Sequence, residues 1–326
     1  MIPNRMTTFA YVIIILFIFI AIFSNFLSSS FPIVLWNNQS GHELPASPLL
    51  KAMFSEKEKI KLENIDFKEL SRQNKISAVY TIIPYSAYEK NLEKILEAPS
   101  YGRFGNYLGT DELGRDVAAR LIHGAKNSMM VGLIAVGISL VFGIIIGALA
   151  GYFGGKVDLI ISRVIEIVIC FPTLILIMAV LAILKPSLYK IMIVIGLTRW
   201  TGVARVIRGE FLKRKKEDFV MASRLVGASH LRLIFIHLLP NSLAPVIVMT
   251  SFGVASVVLL ESGLSFLGIG IQLPEPSWGQ ILNTSRDYID FAWWLTLYPG
   301  ILIFLTVVSY NLLGDHLRKV FNPRER

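Results

Sequence analysis

Six long runs of apolar residues divide the chain, and polar segments of very unequal length separate them. A helix rises about 1.5 Å per residue, so roughly 20 apolar residues are needed to cross the hydrocarbon core of a bilayer. Each run approaches or exceeds this length. The pattern therefore predicts six transmembrane helices, at Phe9–Phe26, Met129–Ala150, Leu159–Leu184, Leu188–Ala204, Leu243–Leu267 and Trp293–Leu313.

The first apolar run is compatible with two kinds of N-terminal segment. The sequence SNFLSSSFP that follows it lacks the small-residue cleavage site of a secretory signal peptide. An uncleaved signal-anchor helix is therefore favoured over a cleaved signal peptide. Arg5 precedes the run and the next basic residue is Lys51, which predicts a cytoplasmic N-terminus by the positive-inside rule.

Residues 31–126 form a long polar segment without an apolar run, and the orientation of the first helix predicts that it is extracytoplasmic. Glu and Lys at helical spacing predict short surface helices at Ser55–Leu70 and Tyr88–Leu96. His42 and Glu43 are adjacent, but no further residue stands at metal-ligand spacing. A solvated loop is therefore expected around them.

The polar segment closes with the sequence LGTDELGRDVAARLIHGAKN at residues 108–127. Thr110 or Asp111 is suited to cap the N-terminus of a helix, because a short side-chain oxygen accepts a hydrogen bond from a backbone N–H of the first turn. The apolar residues that follow recur at helical spacing, which predicts an amphipathic helix at the outer membrane surface. These residues are Leu113, Val117, Leu121 and Ile122.

Composition excludes an ordinary soluble domain. Hydrophobic residues make up 54% of the chain, charged residues only 17%, and the mean hydropathy is +0.59. The formal net charge is +9, but the basic residues lie beside apolar runs, which predicts membrane orientation and no nucleic-acid binding. Two basic clusters predict that both termini are cytoplasmic in a multi-pass membrane protein: Lys213, Arg214, Lys215 and Lys216, and Arg318, Lys319, Arg324 and Arg326.

The predicted fold is an all-α membrane protein with four consecutive parts. Residues 1–30 form the N-terminal transmembrane helix, and residues 31–126 form the extracytoplasmic segment ending in the amphipathic helix. Residues 127–315 form a five-helix core, and residues 316–326 form a cytoplasmic tail.

Charged residues and a proline interrupt the apolar runs. Arg163 and Glu166 lie three residues apart on one helical face, so they form either a local ion pair or part of a substrate path. Glu261 lies within the fifth run. Pro172 removes one backbone hydrogen bond and predicts a kink in the third helix.

The sequence predicts no catalytic or metal site. The histidines do not pair at ligand spacing within the apolar runs, and no Ser/His or paired-Asp arrangement lies at one depth. Gly154-Gly155-Lys156 resembles part of a phosphate loop, but Val157 follows the lysine and Ala150 occupies the position of the first glycine. An intramembrane enzyme and a stand-alone secondary transporter or channel are the alternatives to a subunit that works with partners.

A basic, amphipathic segment at residues 205–241 lies between the fourth and fifth runs. Its periodicity predicts one helix at Glu217–Val226 and a second at His230–Leu239. Gly227 is placed to end the first helix, and Ser229 to cap the second. Pro240 is expected to separate the second helix from the fifth transmembrane helix.

This segment resembles the EAA loop of binding-protein-dependent ABC transporter permeases, with its helix, its glycine and its Leu-Pro. Met221 stands where that pattern has Glu, and Ser223 where it has a second Ala. Further matches resemble the C-type subunit of the oligopeptide/dipeptide permease family. They are LGTDELGRD (108–116), GYFGGKVD (151–158), FPTL (171–174), ARVIRG (204–209), GAS with HLLPN (227–241), ESGLSFLGIG (261–270), PSWG (276–279) and LGDHLRKVFNP (313–323).

The resemblance implies a type I ABC importer permease that moves peptides, with nickel or glutathione as alternative cargo. It implies a second, B-type permease subunit, two ATPases that carry ATP and Mg²⁺, and an extracytoplasmic binding protein, with no cofactor on this chain. The ATPase-coupling residues would be Asp218, Met221, Ala222, Ser223, Gly227, Ala228, Leu239 and Pro240. Glu166 and Glu261 are candidates for the translocation path or for pairing between subunits.

Overall fold

The computed structural model describes residues 5–37, 47–55, 60, 62, 65, 67–73, 76–102, 104–184 and 187–321. His42 and Glu43 lie outside the described residues, as do the basic residues Arg324 and Arg326.

The described chain is mostly helical. The helices are α1 (Arg5–Ile22), α2 (Ser24–Leu27), α3 (Pro48–Phe54), α4 (Phe67–Arg72), α5 (Val117–Phe153), α6 (Gly155–Cys170), α7 (Thr173–Leu184), α8 (Leu188–Arg214), α9 (Asp218–Leu225), α10 (His230–Arg232), α11 (Leu239–Phe266), α12 (Trp278–Ser285) and α13 (Trp294–Phe321). A π-helical turn at Leu233–Leu238 joins α10 to α11, and a 3₁₀ turn at Arg286–Tyr288 follows α12.

The chain divides into two compact units. The first contains Met1–Ile15, Ser128–Gln272 and Leu302–Arg326, and the second contains Leu16–Asn127 and Leu273–Ile301.

Four helical stretches are long and apolar enough to cross a membrane: α1, α5, the continuous stretch His230–Phe266, and α13. Helices α6 and α7 make up a fifth crossing if the bent pair is one span. The protein is therefore a multi-pass helical membrane protein with four or five candidate spans among its described residues. Helix α8 is 27 residues long but carries several lysines and arginines, and it does not meet the same criterion of composition.

The third predicted helix is broken and not merely kinked. Helix α6 ends at Cys170, α7 begins at Thr173, and the axes of the two helices differ by 83°. Phe171 has φ −88° and ψ 130°, an extended conformation. The physical cause is Pro172, whose ring disfavours the helical conformation of the residue before it.

The second unit contains the one departure of the described residues from the predicted all-α fold. Strands β1 (Val34–Asn37) and β2 (Ile76–Val79) pair antiparallel, with Val34 opposite Val79. Side chains of β2 alternate between half-buried and exposed positions, as a sheet with one covered face requires. Phe31, Leu49 and Phe67 form the small apolar core on that side.

Of the two predicted surface helices in this segment, the one at Tyr88–Leu96 is wrong, and the one at Ser55–Leu70 lies partly outside the described residues. Ser55 has an extended conformation that ends α3, whereas Ile60, Leu62 and the start of α4 at Phe67 are helical. Residues 88–96 form turns, because long-range backbone bonds replace helical ones: the Asn91 N–H donates to the Leu113 carbonyl (3.3 Å) and the Leu96 N–H to the Asp111 carbonyl (3.1 Å).

The predicted amphipathic helix and the second transmembrane helix are one helix, α5, which begins at Val117. The residue that caps it is Asp116, and neither of the predicted residues does so: Asp116 Oδ1 accepts from the Ala119 N–H at 2.8 Å. Asp111 instead organises the preceding turn, since its Oδ1 accepts from the backbone N–H groups of Leu113 and Arg115, each at 2.9 Å.

A buried network of charges surrounds this turn. Arg115 and Arg120 are almost completely buried, and both contact the carboxylate of Asp111, with Nε to Oδ2 distances of 2.7 and 3.3 Å. Arg115 also pairs with Glu112 at 2.9 Å, and Arg120 donates to the Gln280 side chain. Burial, and then the charge of Asp111, raises the pKa of Glu112. The turn therefore depends on buried charges that neutralise one another.

Candidate coupling surface

The predicted coupling segment forms a bent helical hairpin after α8. Helix α9 spans Asp218–Leu225, within one residue of its prediction at each end. Asp218 is exposed in its first turn, where a carboxylate is favoured by the positive end of the helix dipole. Ser223 is half-buried, and its hydroxyl donates to the Phe219 carbonyl at 2.8 Å.

Gly227 ends α9 as predicted. Its φ is +84°, a conformation in which an L side chain costs roughly 1–2 kcal/mol. The Ala228 N–H donates to the Ser223 carbonyl at 3.1 Å, and the Gly227 N–H donates to the Arg224 carbonyl at 3.0 Å. This pair of bonds is a Schellman motif. Apart from its two chain neighbours, no atom of the described residues lies within 4 Å of where a Cβ on Gly227 would be, so the backbone bend alone requires glycine here.

The second helix begins as predicted but does not stop at Pro240. Ser229 Oγ accepts from the Arg232 N–H at 3.3 Å and caps α10. The π-helical turn follows, and the Leu239 N–H donates to the Ile234 carbonyl, five residues back. Pro240 occupies the first turn of α11, where it is tolerated after a locally widened turn. The hairpin is therefore continuous with the apolar helix that follows.

A buried core anchors the hairpin to the long helices of the first unit. Val220 on α9 and Leu233 and Leu238 in the π-helical turn pack in one cluster with Ile207 and Phe211 of α8. Ala228 and Leu239, both in the predicted set, pack against the edge of this cluster. Displacement of the hairpin must therefore move α8 with it, because close-packed side chains transmit strain.

Polar bonds add to this anchoring. The Tyr152 hydroxyl lies 2.6 Å from His230 Nδ1, and Lys215 Nζ donates to the Gly151 carbonyl at 3.1 Å. Arg208 on α8 forms a two-pronged ion pair with Asp158 on α6, with Nη2 to Oδ2 at 2.8 Å. These contacts tie the hairpin and α8 to the α5–α6 corner.

The opposite side of the hairpin exposes apolar side chains. Leu225 and Val226, at the bend, are each 88% exposed, and Met221 is 48% exposed one helical turn before Leu225. Ala222, Gly227 and Pro240 are also exposed. We call the exposed apolar residues of the hairpin the apolar tip: Phe219, Met221, Leu225, Val226, Leu231, Phe235 and Ile236.

The apolar tip contains residues that the motif alone did not select. Only Met221 of its members was among the predicted coupling residues. The signal in the sequence is a set of large apolar side chains within a basic segment outside the apolar runs. An exposed apolar patch of this kind is characteristic of a surface that another protein or a membrane covers.

The two candidate carboxylates lie in different environments. Glu166 is exposed, and its Oε2 lies 2.7 Å from Arg163 Nη1, as predicted for a local ion pair. Glu261 is completely buried, with its carboxylate accepting from the Ser265 hydroxyl at 2.7 Å and the Ser128 hydroxyl at 3.4 Å. The two are therefore not parts of one cluster.

No group of three or more His, Cys, Asp or Glu side chains among the described residues is arranged to hold a metal ion. Cys170, the single cysteine of the chain, is exposed at the end of α6.

Comparison with known proteins places the chain among transporter components. Residues 143–326 match the family described as "Binding-protein-dependent transport system inner membrane component". A di/tripeptide transport system permease protein of Pseudomonas aeruginosa is 42% identical over 246 residues, which cover 74% of this chain and 81% of the relative. A dipeptide transport system permease protein of Bacillus subtilis is 38% identical over 244 residues, covering 74% and 75%.

A solved structure shares the fold. A chain from the inward-facing MetNI methionine ABC transporter superposes with a TM-score of 0.50 at 16% identity, covering 62% of this chain and 96% of that chain. The family comprises transport-system membrane components and not enzymes. The match over more than half of the chain and the two relatives agree: this protein belongs to the family of binding-protein-dependent transport system inner membrane components.

Proposed function

We propose that this subunit forms half of a peptide-conducting pathway in an ATP-driven importer, and that its hairpin couples the pathway to an ATPase. The observation that carries the coupling role is the apolar tip, in which exposed side chains sit on a firmly buried anchor. Di- and tripeptides are the proposed cargo, because the similar proteins from Pseudomonas aeruginosa and Bacillus subtilis are named as permeases for them.

The proposed assembly contains a second permease subunit, two ATPases that bind ATP and Mg²⁺, and an extracytoplasmic binding protein. The apolar tip would fill a groove in one ATPase, with Asp218, Ala222 and Ser223 at the edge of the contact. Closure of the ATPase pair would displace the hairpin, and the core around Val220 and Phe211 would transfer this movement to α8. The pathway would then alternate between inward-facing and outward-facing states.

The proposed membrane arrangement has six crossings. The bent pair α6 and α7 would supply the third crossing, and α8 the fourth, where its charged side chains would face the pathway or a partner and not lipid. Residues 1–30 would anchor the N-terminus, residues 31–126 would lie outside the cytoplasm, residues 127–315 would form the core, and residues 316–326 would return to the cytoplasm.

The two carboxylates would have different roles. Glu166 is exposed together with Arg163, which suits a contact with the second permease or the pathway. Glu261 accepts hydrogen bonds from Ser128 on α5 and Ser265 on α11. This geometry supports a role in holding these two helices together more than a role in contacting the cargo.

Uptake by the complete importer tests the function. We expect vesicles that contain this chain with its second permease, ATPases and binding protein to accumulate radiolabelled Ala-Ala only when ATP is supplied on the ATPase side. A catalytically inactive ATPase provides the control. If the wild-type assembly hydrolyses ATP in response to its binding protein but accumulates neither dipeptides nor tripeptides, the proposed cargo is wrong.

Cysteine labelling tests the orientation. The background is Cys170→Ser, which removes the single cysteine of the chain. Ile82→Cys is expected to react with a membrane-impermeant maleimide in cells whose outer membrane is permeabilised and whose cytoplasmic membrane is intact, because Ile82 is 71% exposed. Lys216→Cys, also at an exposed position, is expected to react only after the cytoplasmic membrane is permeabilised. The opposite pattern would show that the orientation is inverted.

A further inference from the structure

A cavity of about 280 Å³ lies within the first unit, between helices that the proposed pathway would use. Side chains from α5, α6, α7, α8 and α11 line it. The lining combines apolar residues with hydroxyl groups of Ser139, Thr173, Thr198, Thr201 and Thr250. It also includes two arginines of α8, Arg199 and Arg205, but no aspartate or glutamate.

The two arginines have no acidic partner in the described chain. Neither guanidinium lies within 4 Å of a carboxylate of any described residue, in contrast to Arg208 one turn further along α8, which pairs with Asp158. Arg199 is half-buried and Arg205 is exposed. In the proposed membrane arrangement α8 crosses the bilayer, where an unpaired guanidinium is costly, so it is retained where a ligand or a partner supplies the negative charge.

The hydroxyl groups complement the arginines. Ser139, Thr198 and Thr250 donate their hydroxyl protons to carbonyls of their own helices, at 2.9, 2.9 and 2.7 Å. Their oxygens are therefore left as acceptors. The cavity thus offers guanidinium donors for an anion and oxygen acceptors for neighbouring N–H groups.

We propose that this cavity binds the C-terminal carboxylate of the passing peptide, with Arg199 as the main donor and Arg205 at the entrance. This inference rests on the proposed peptide cargo. A free carboxylate is the one anionic group that all unmodified peptides share, and the planar guanidinium matches it with two parallel hydrogen bonds. The volume lies just below the range of about 300–1,000 Å³ typical of small-molecule sites, which suits one end of a peptide.

Dipeptide binding to the nucleotide-free complex, measured without the binding protein, tests the contact between the peptide carboxylate and Arg199. The complex of this chain with its second permease and ATPases is placed in lipid nanodiscs and loaded with radiolabelled Ala-Ala. Unlabelled Ala-Ala and Ala-Ala amide then compete for the site. The wild-type complex is expected to prefer the free acid on the order of tenfold, as for a charge-assisted hydrogen-bonded pair.

Three variants assign the preference to Arg199. Arg199→Gln is expected to lose the preference for the free acid, because it weakens binding of the free acid and leaves binding of the amide unchanged. Arg199→Lys is expected to retain part of the preference, because the positive charge remains but the planar guanidinium does not. Lys190→Gln, which removes a positive charge from an exposed position of the same helix, is expected to behave as wild type. If the Arg199→Gln chain itself does not fold or insert into the membrane, Arg199→Lys carries the test.

Several results would overturn this inference. One is equal competition by acid and amide in the wild-type complex. Another is an equal loss of both ligands in Arg199→Gln, or loss of the second permease from the complex, which would mean that Arg199 pairs with an acidic group of that subunit. If the wild-type importer takes up Ala-Ala but its complex shows no preference for the free acid, the inference is wrong and the proposed cargo stands. If the wild-type importer takes up no peptide, the proposed cargo is itself wrong.

Discussion

Leu225→Asp is expected to release the ATPases from the membrane complex and to abolish ATP-driven uptake. Leu225 is 88% exposed at the bend of the hairpin, beside the equally exposed Val226, so its side chain is free to be the centre of an apolar contact. Placing a carboxylate there would bury an unpaired charge in the groove of the ATPase. A central residue of this kind contributes about 2 kcal/mol or more, which is roughly a thirtyfold change in affinity.

The measurement is co-purification of the ATPases with the tagged subunit, together with uptake by vesicles. Membrane insertion is expected to be normal, because the hairpin is held by Val220, Leu233 and Leu238 and not by Leu225. Ile82→Asp is the matched control, since it adds the same charge at an exposed apolar position (71%) that lies outside the hairpin. Full ATPase recovery and normal uptake in Leu225→Asp would contradict the docking role of the apolar tip.

The end of α9 and the start of α10 could be predicted because their signals are local. A glycine with positive φ and a serine cap act within one helical turn, so Gly227 and Ser229 identify the bend without knowledge of the surroundings. Pro240 was misleading for the same reason. Its local effect is to break a helix, but the preceding π-helical turn accommodates it, and this turn depends on the packing of Leu233 and Leu238 in the core.

The segment before α5 could not be predicted to the same extent, because its structure depends on distant contacts. Val34 pairs with Val79 across 45 residues of sequence, and no local pattern specifies that register. Gly114 shows the same limitation. Its φ is +67°, and a Cβ there would lie 1.7 Å from the carbonyl oxygen of Asn91, so the turn exists only where these two backbone segments meet.

Charged residues within the helices were easy to find and difficult to interpret. The sequence shows that Arg199, Glu166 and Glu261 lie in or near apolar runs, where charges are costly. It predicts a local ion pair with Arg163 as one alternative for Glu166, and the structure forms that pair. It does not show that Glu261 accepts hydrogen bonds from serine hydroxyls, or that Arg199 lines a cavity without a carboxylate. Three similar signals therefore support three different functional hypotheses.

Arg115→Met is expected to lower the free energy of unfolding of the second unit by about 3–5 kcal/mol, the typical cost of removing one partner from a buried ion pair. The substitution would leave Glu112 without its only described cationic partner and would leave Asp111 with Arg120 alone, at 3.3 Å. Hydrogen–deuterium exchange of residues 88–116, corrected for intrinsic exchange rates, measures the loss as reduced protection.

The pH dependence of this defect follows from Glu112. Burial, and then the charge of Asp111, already raises the pKa of its carboxyl above the ordinary value of 4.5. A raised carboxyl pKa means that the folded state favours the protonated form, so the stabilisation is present below the ordinary pKa and is lost as pH rises through the raised value. Removal of Arg115 raises this pKa further. The loss in free energy of unfolding of Arg115→Met relative to wild type should therefore become smaller as the pH is lowered from 7.5 towards 5.

Lys94→Met is the control that distinguishes the loss of a buried ion pair from the loss of any positive charge. Lys94 and Glu97 form a solvent-exposed pair at 3.9 Å in the same segment. Exposed pairs contribute about 0–1 kcal/mol, so this variant is expected to keep nearly full protection and to show little change with pH. Equal protection in Arg115→Met and Lys94→Met would mean that the second unit relaxes to admit water around Asp111 and Glu112. The buried charges would then be a consequence of the turn and not the cause of its stability.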